Sequence, residues 1–153
     1  MTVYQSCDVP GVQVLPITYR LDPRGRLAEI VRSDNPLFSG FGQLYLTSCN
    51  PGVVKAWHMH QMQTDLLFVI SGSARIGLWD PESGIGDSVF AGEYNPCLVR
   101  IPSGIWHGFT PVGSGEIVVL NLPDKLYNYA NPDESRKPYD TPDIPFDWKT
   151  RSG

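Results

Sequence analysis

Charged residues, cysteines and long apolar runs are all scarce in this sequence, and each scarcity excludes a class of protein. Only 18% of the 153 residues are charged, the formal net charge is −4, and no run of like charges occurs. The chain therefore has no basic surface of the kind that a nucleic-acid backbone requires. No stretch approaches the roughly 20 apolar residues that cross a bilayer. We expect neither nucleic acid nor a membrane as a partner.

The cysteines and the N-terminal residues bear on the cellular compartment. Cys7, Cys49 and Cys97 are odd in number and widely spaced, without a C-x-x-C pair. This spacing argues against a disulfide framework and against a thiolate metal site. The N-terminal residues also lack the basic flank and the apolar run of a signal peptide. We expect free thiols in a cytoplasmic protein.

Glycine and proline are abundant by contrast, with 15 and 14 copies scattered between short β-branched and aromatic runs. This pattern is typical of short strands joined by tight turns, and it predicts an all-β fold in a single domain over residues 1–153. No window keeps a 3.6-residue apolar period for three turns, so any helix should be short. Beyond Pro123 the composition shifts to Pro, Asp, Lys and Tyr, which predicts a short irregular or helical C-terminal tail packed over the strands. The predicted strands are 27–32, 41–48, 53–60, 65–70, 74–79, 98–101 and 116–121.

All three histidines of the chain fall in two short motifs. Residues 52–72 read G-x5-H-x-H-x4-D-x6-G, with His58, His60 and Asp65 at the polar positions. Because residues two apart on a strand point to the same face, both imidazoles should share one face, with Asp65 alongside on the next strand. The second motif, P-x-G-x-x-H, ends at His107. Together they resemble the two cupin motifs, which implies a jelly-roll β-barrel in which the three histidines converge.

Three interpretations of these histidines remain open. Imidazole and carboxylate are suitable ligands for Fe, Ni, Mn or Zn, so the set could form a metal site with open positions. A neutral histidine in a partly dry barrel is also a ready general base near pH 7. The third interpretation is structural, with the histidines hydrogen-bonded to one another or to water. The metal ligands in the first case would be His58, His60, Asp65 and His107.

A longer resemblance runs from about residue 17 to residue 148. Residues 22–29 look like the D-x-R-G-x-F-x-E signature of the dTDP-4-dehydrorhamnose 3,5-epimerase family. Residues 101–109 are similar to its I-P-x-G-F-x-H-G-F segment, and residues 140–148 to its D-P-x-I-x-I-x-W close. Phe41, Gln43, Gly52 and His58 fit its F-x-Q and G-V-L-R-G-L-H pieces without a gap. The chain thus resembles a divergent member of that family, within the cupin superfamily.

This resemblance implies a homodimer that epimerises a nucleotide-linked 4-keto-6-deoxy sugar and requires no cofactor. In such enzymes a histidine removes the proton α to the ketone, because the resulting enolate can be held by nearby donors. By this likeness His58 would be the base, and His107 would lie near the sugar. The residues that would contact the substrate are Arg24, Glu29, Gln43, Lys55 and Asn121.

The sequence departs from the family at positions that carry chemistry. Lys55 stands where the family has a phosphate-binding Arg, so the bidentate fork is lost and phosphate binding should be weaker or different. Asp65 replaces a Lys thought to stabilise the enolate, and a negative charge there would oppose one. Asn121 lies on the strand where the family carries a Tyr proposed as the returning acid, and an amide is a poor proton donor.

Two of these departures fit together. His60 and Asp65, where the family has Gln and Lys, rebuild the metal-ligand pattern of cupins. This suggests that a divalent metal stabilises the enolate in place of the Lys. Two other functions remain open, namely a metal-dependent cupin of another class, such as a dioxygenase or a lyase on a small acid, and a non-catalytic barrel that binds a sugar nucleotide.

Overall fold

The computed structural model describes residues 6–149, and these residues form twelve strands and no helix. The all-β prediction is confirmed, and the described residues contain no helix that could cross a membrane. The strands are β1 Gln13–Pro16, β2 Arg20–Asp22, β3 Gly25–Leu27, β4 Tyr45–Cys49, β5 Lys55–Met59, β6 Asp65–Ser71, β7 Ser73–Trp79, β8 Gly86–Gly92, β9 Cys97–Ile101, β10 Trp106–Pro111, β11 Ile117–Asn121 and β12 Ser135–Arg136.

Ten strands form two antiparallel five-stranded sheets, and β2 and β3 form a separate hairpin. The first sheet has the order β1-β9-β6-β11-β4, and the second has the order β12-β5-β10-β7-β8. Inward-facing side chains of both sheets fill the space between them, as in other two-sheet folds. They include Val69, Val99 and Val119 from the first sheet and Ile76, Leu78 and Val89 from the second. This is the cupin-type jelly roll that the sequence predicts.

The C-terminal tail packs on the second sheet and is irregular, with β12 as its one strand. Trp57, Phe146 and Trp148 form an aromatic cluster there, with the Trp57 and Phe146 ring centroids 5.2 Å apart. Gly77 makes this packing possible, because a Cβ at that position would lie 2.5 Å from the Trp148 ring. The predicted tail is therefore confirmed as a packed irregular segment, and the helical alternative does not occur in its described residues.

Some strand predictions were wrong for identifiable reasons. The predicted strand 27–32 is absent, since β3 ends at Leu27 and Ala28, Ile30 and Val31 instead pack without pairing against the core around Leu37. Strands β1, β2, β8, β10 and β12 were missed. Strand β8 contains two Gly together with Asp87 and Ser88, so its intrinsic strand propensity is low. Its pairing with β7 stabilises it as a strand. Cys7, Cys49 and Cys97 are free, as expected.

Candidate functional site

A cavity of about 460 Å³ lies between the two sheets and contains side chains from both. Strand β5 belongs to the second sheet and β6 to the first, so the loop between them carries the chain across the gap. The HxH pair and Asp65 lie on either side of this crossing. The topology thus places the two parts of the first histidine motif on opposite sides of one cavity.

One side of the cavity is a row across the second sheet, here called the histidine wall. Arg136 on β12 pairs with His58 on β5, and His58 pairs with His107 on β10. The ring centroids of His58 and His107 are 6.4 Å apart. His60 comes directly after β5, two residues beyond His58. It also lines the cavity, as period-two alternation requires. The prediction that the three histidines converge agrees with this arrangement.

The opposite side is a row across the first sheet, here called the tyrosine wall. Asn121 on β11 pairs with Tyr45 on β4 and with Leu67 on β6, and all three line the cavity. Asp65 begins β6 two residues before Leu67, so it faces the same way. The two walls therefore present different chemistry. The histidine wall has imidazoles beside the paired side chains of Glu134 and Arg136, and the tyrosine wall has phenol, amide and carboxylate groups.

Asp65 joins the two walls and is only 1% exposed. Its Oδ1 accepts hydrogen bonds from Gln63 Nε2 at 2.7 Å and from Asn121 Nδ2 at 3.0 Å. Its Oδ2 lies 3.4 Å from His107 Nε2 and 3.5 Å from His60 Nε2. A buried carboxylate is costly unless its oxygens are paired, and here the amides satisfy one oxygen while the imidazoles face the other.

The tautomers of the two facing imidazoles follow from their other ring nitrogens. Nδ1 of His107 is 3.0 Å from the carbonyl oxygen of Ile105, and Nδ1 of His60 bonds to the carbonyl oxygen of Asp133. A carbonyl only accepts, so each Nδ1 carries the hydrogen and each neutral imidazole directs an Nε2 lone pair at Asp65. Three electron-pair donors thus converge, at separations longer than a hydrogen bond. Such a cluster of acceptors is stabilised by a proton, by a hydrogen-donating water molecule or by a metal ion placed among them.

The donor set fits a divalent metal ion. The possible ligand atoms of His60, Asp65 and His107 all lie within 4.8 Å of one another, and all three residues are buried. Two imidazoles and one carboxylate form a common catalytic ligand set, with ligand distances of about 2.0–2.2 Å. His58, which the sequence placed among the metal ligands, lies outside this group. The structure therefore separates His58 from the three residues that could hold a metal.

Asp133 in the C-terminal tail holds the loop that carries this site. Its carboxylate accepts hydrogen bonds from the backbone N–H groups of Gln61, Met62 and Gln63, at 2.9 to 3.1 Å. Its carbonyl oxygen is the one that fixes His60 Nδ1. One tail residue thus sets both the path of the crossing loop and the tautomer of His60.

The electrostatics of the histidine wall favour neutral imidazoles. Burial, together with the neighbouring His107, lowers the pKa of His58 to about 4, while Glu134 opposes the shift. Burial also lowers the pKa of His107, against the attraction of Asp65. Charged imidazolium loses its hydration in such a cavity, which is why both shifts are downward. At neutral pH His58 therefore has a free lone pair.

The residues predicted to contact substrate divide into two groups. Lys55 and Asn121 line the cavity, and Lys55 Nζ lies 3.3 Å from Thr47 Oγ1 at its rim. Arg24 lies on the β2–β3 hairpin, where it pairs with Asp22. Glu29 pairs with Arg32 at 2.9 Å, and Gln43 lies on the loop before β4. Within one chain, Arg24, Glu29 and Gln43 are not among the residues that line the histidine cavity.

Sequence reasoning missed several residues that line the cavity, among them Tyr45, Glu134 and Arg136. Glu134 and Arg136 lie in the tail, and only the two-residue strand β12 brings them beside His58. No local pattern in the sequence predicts the pairing of β12 with β5. Tyr45 could have been found, because alternation along the predicted strand 41–48 places Tyr45 and Thr47 on one face.

Comparison with known proteins supports an assignment to sugar biosynthesis. Residues 20–135 match the family described as the polysaccharide biosynthesis C-terminal domain. The chain is 37% identical to the spore coat polysaccharide biosynthesis protein SpsL of Bacillus subtilis over 147 residues, 93% of this chain and 97% of that protein. It is also 37% identical over 153 residues to a probable low-salt glycan biosynthesis epimerase, Agl13 of Haloferax volcanii, covering 92% of this chain and 95% of that one.

Solved structures agree with the fold. A dTDP sugar isomerase from Desulfovibrio desulfuricans superimposes with a TM-score of 0.84 at 33% identity, covering 91% of each chain. Solved dTDP-4-dehydrorhamnose 3,5-epimerases share the same jelly roll at lower identity. The family resemblance read from the sequence is thereby confirmed.

Proposed function

This chain belongs to the polysaccharide biosynthesis C-terminal domain family and is a divergent relative of the dTDP-4-dehydrorhamnose 3,5-epimerases, and on that premise we propose that it epimerises a nucleotide-linked 4-keto-6-deoxy sugar. Relatives named as epimerases and isomerases of sugar biosynthesis support an isomerase-type enzyme. The observation that carries the proposal is a neutral imidazole, His58, on the wall of a cavity with cationic side chains among its lining residues.

In the proposed reaction His58 removes the proton on the carbon next to the ketone. The electron pair of the C–H bond forms the enolate, and the growing negative charge favours protonation of the imidazole despite its low pKa in the free site. His107 lies beside His58 and would contact the sugar. Lys55 and Arg136 supply positive charge where a diphosphate would lie, although Lys55 offers one ammonium rather than a fork.

A divalent metal ion would be held by His60, Asp65 and His107, whose donor atoms converge. When bound, such an ion would supply positive charge to stabilise an enolate oxygen. Elemental analysis of untagged protein, after Fe, Ni, Mn and Zn are supplied separately, tests this part. Less than about a tenth of an equivalent of every metal would contradict it, since two imidazoles and a carboxylate are suitable ligands for each of these ions. Oxygen consumption by the iron-loaded protein would favour a dioxygenase instead.

We also propose a homodimer. Leu21 and Leu27 on the β2–β3 hairpin are 77% and 60% exposed, and Leu46 on edge strand β4 is 59% exposed. An exposed apolar hairpin and an apolar sheet edge are each a liability unless covered. A second copy would cover them, and it would give Arg24, Glu29 and Gln43 a route to a cavity that they do not reach in their own chain. Sedimentation of the purified protein tests this proposal.

The function is tested by incubating the protein with dTDP- and UDP-linked 4-keto-6-deoxy sugars in D2O. Deuterium should appear at C3 or C5, and the product should have the inverted configuration there. Absence of exchange with every such sugar would count against the proposal. Movement of the carbonyl from C4 to C3 without inversion would identify a ketoisomerase instead.

A further inference from the structure

An epimerase of this kind needs a proton donor on the face of the sugar opposite its base. The histidine wall holds the imidazoles. By the family resemblance, Asn121 lies on the strand where those enzymes have their acid. Resting on the proposed function, we propose that Tyr45 is the proton donor, with its hydroxyl held in the cavity by Asn121. The proposed donor therefore lies on β4, at the residue that pairs with Asn121 of β11.

The hydrogen bonds around Asn121 orient the phenol. Asn121 Nδ2 lies 2.7 Å from the Tyr45 hydroxyl and 3.0 Å from Asp65 Oδ1. A carboxylate can only accept, so the amide nitrogen, and not its oxygen, must face Asp65. Both amide hydrogens are then used, one on each partner. The Tyr45 oxygen accepts from Asn121, which leaves its own hydrogen available to a bound sugar.

The protonation state of Tyr45 suits this role. Tyr45 is 42% exposed, and the partial burial of its ring raises the pKa of the phenol above its ordinary value of 10, although the Asn121 hydrogen bond opposes the shift. The phenol therefore keeps its proton at neutral pH. The donated hydrogen bond from Asn121 would stabilise the phenolate that remains after transfer.

The other polar groups of the cavity serve less well. The Asn121 amide is not an acid at neutral pH. Lys55 Nζ is within hydrogen-bond distance of Thr47 Oγ1, and Glu134 accepts from Arg136 at 2.8 Å. Tyr45 is the weak acid of the tyrosine wall, and it lines the cavity from the sheet opposite the one that carries His58.

The proposed reaction transfers one proton to His58 and one proton from Tyr45. His58 takes the proton from the carbon next to the ketone, and the C–H electron pair forms a carbon–carbon double bond as the carbonyl becomes an enolate. The enolate then collapses to the ketone while that carbon takes the hydroxyl proton of Tyr45 from the opposite face. Tyrosinate and imidazolium remain, and proton exchange with water restores both.

The test separates proton exchange from inversion. In D2O, Tyr45→Phe should keep deuterium uptake within about tenfold of the unsubstituted protein, because His58 still removes the proton and returns deuterium to the same face. Its rate of forming the inverted sugar should fall at least about 100-fold, the usual contribution of a general acid. Tyr129→Phe, at a side chain that is 89% exposed, is the matched control and should change neither rate.

The possible outcomes are distinct. Inversion by Tyr45→Phe within threefold of the unsubstituted rate overturns the proposal, as does equal loss of exchange and inversion with unchanged dTDP binding. If Tyr45→Phe does not fold, Tyr45→His supplies another acid, and inversion reduced without loss of exchange is the supporting result. Absence of exchange by the unsubstituted protein refutes the proposed function itself, which these variants do not address.

Discussion

The histidine wall and the tyrosine wall face the same cavity but are held in place differently. On the histidine wall, His60 and His107 are fixed by backbone carbonyls, which the fold supplies whatever the neighbouring side chains are. On the tyrosine wall, Tyr45, Asn121 and Asp65 hold one another through side chains alone. The first wall should therefore tolerate single substitutions around it, whereas the second should transmit each change along its chain of hydrogen bonds.

The largest expected effect comes from removing the base of the histidine wall. His58→Asn keeps a polar side chain but no proton acceptor of comparable strength, so exchange and inversion should both fall by about 100-fold to 10,000-fold. Deuterium uptake followed by NMR measures the first rate, and the configuration of the product measures the second. Parallel loss contrasts with the split expected for Tyr45→Phe. If exchange survived in His58→Asn while inversion was lost, the base would lie on the tyrosine wall and His58 would act as the acid.

The next effect concerns the carboxylate where the walls meet. In Asp65→Asn the amide oxygen can still accept from Gln63 and Asn121, while its NH2 group faces the Nε2 lone pairs of the imidazoles. The negative charge is lost but the fold should survive. By the proposed metal site, the unsubstituted protein should bind about one equivalent of metal, and Asp65→Asn should bind less than about a tenth of an equivalent.

Elemental analysis beside a thermal melt measures both properties of Asp65→Asn. Asp80→Asn is its control, because that carboxylate caps a turn through Ser83 away from the cavity. Full metal content in Asp65→Asn would show that the ion is held elsewhere.

A smaller effect is expected on the stability of the first sheet at alkaline pH. Burial raises the pKa of Cys97, on β9 of the first sheet, to about 11 from its ordinary value of 9. The stability that this shift provides is complete below pH 9 and is lost as the pH rises towards 11, because the unfolded chain ionises first. The loss should be about 2 kcal/mol from this group.

Urea unfolding between pH 8 and pH 11 measures that loss. Cys97→Ala should begin less stable but decline less over the same interval. An equal decline in both proteins would assign the alkaline sensitivity to other groups.

The smallest effect is expected at the rim of the histidine wall. Lys55→Met should raise KM roughly tenfold with little change in kcat, since one exposed ammonium to a phosphate contributes about 1.4 kcal/mol. Lys55→Arg should lower KM, because the fork suits phosphate better. Lys125→Met is the control, since Lys125 is exposed and does not line the cavity. A change in kcat alone would place Lys55 in the chemical step.

The three histidines, Asp65 and Asn121 were predictable from the sequence, but the contact between Asn121 and Tyr45 and the approach of Arg136 to His58 were not. Alternation along β5 places His58 and His60 on one face, and the turn after them predicts where Asp65 lies. The register between β11 and β4 depends on tertiary packing, so no pattern predicted that Asn121 would meet Tyr45. Arg136 reached the cavity through β12, a strand of two residues without a propensity signal.

The likeness to a family supplied residues that the geometry of one chain does not bring together. Arg24, Glu29 and Gln43 match motif positions, yet they lie outside the histidine cavity. A motif identifies residues by their sequence positions and does not show whether they meet within one chain or across the proposed homodimer. The strand predicted at 27–32 failed for a related reason, because apolar residues there serve packing rather than pairing.

Asp133 acts on the crossing loop from outside the strands that form the two walls. Strands β1 to β11 end at Asn121, but the loop after β5 is held by a residue twelve positions further along. The pairing of β1 to β11 does not depend on Asp133, whereas the path of the loop and the orientation of His60 do. The order of the fold and the order of the site are thus separable, because one polar residue of the tail fixes the second without building the first.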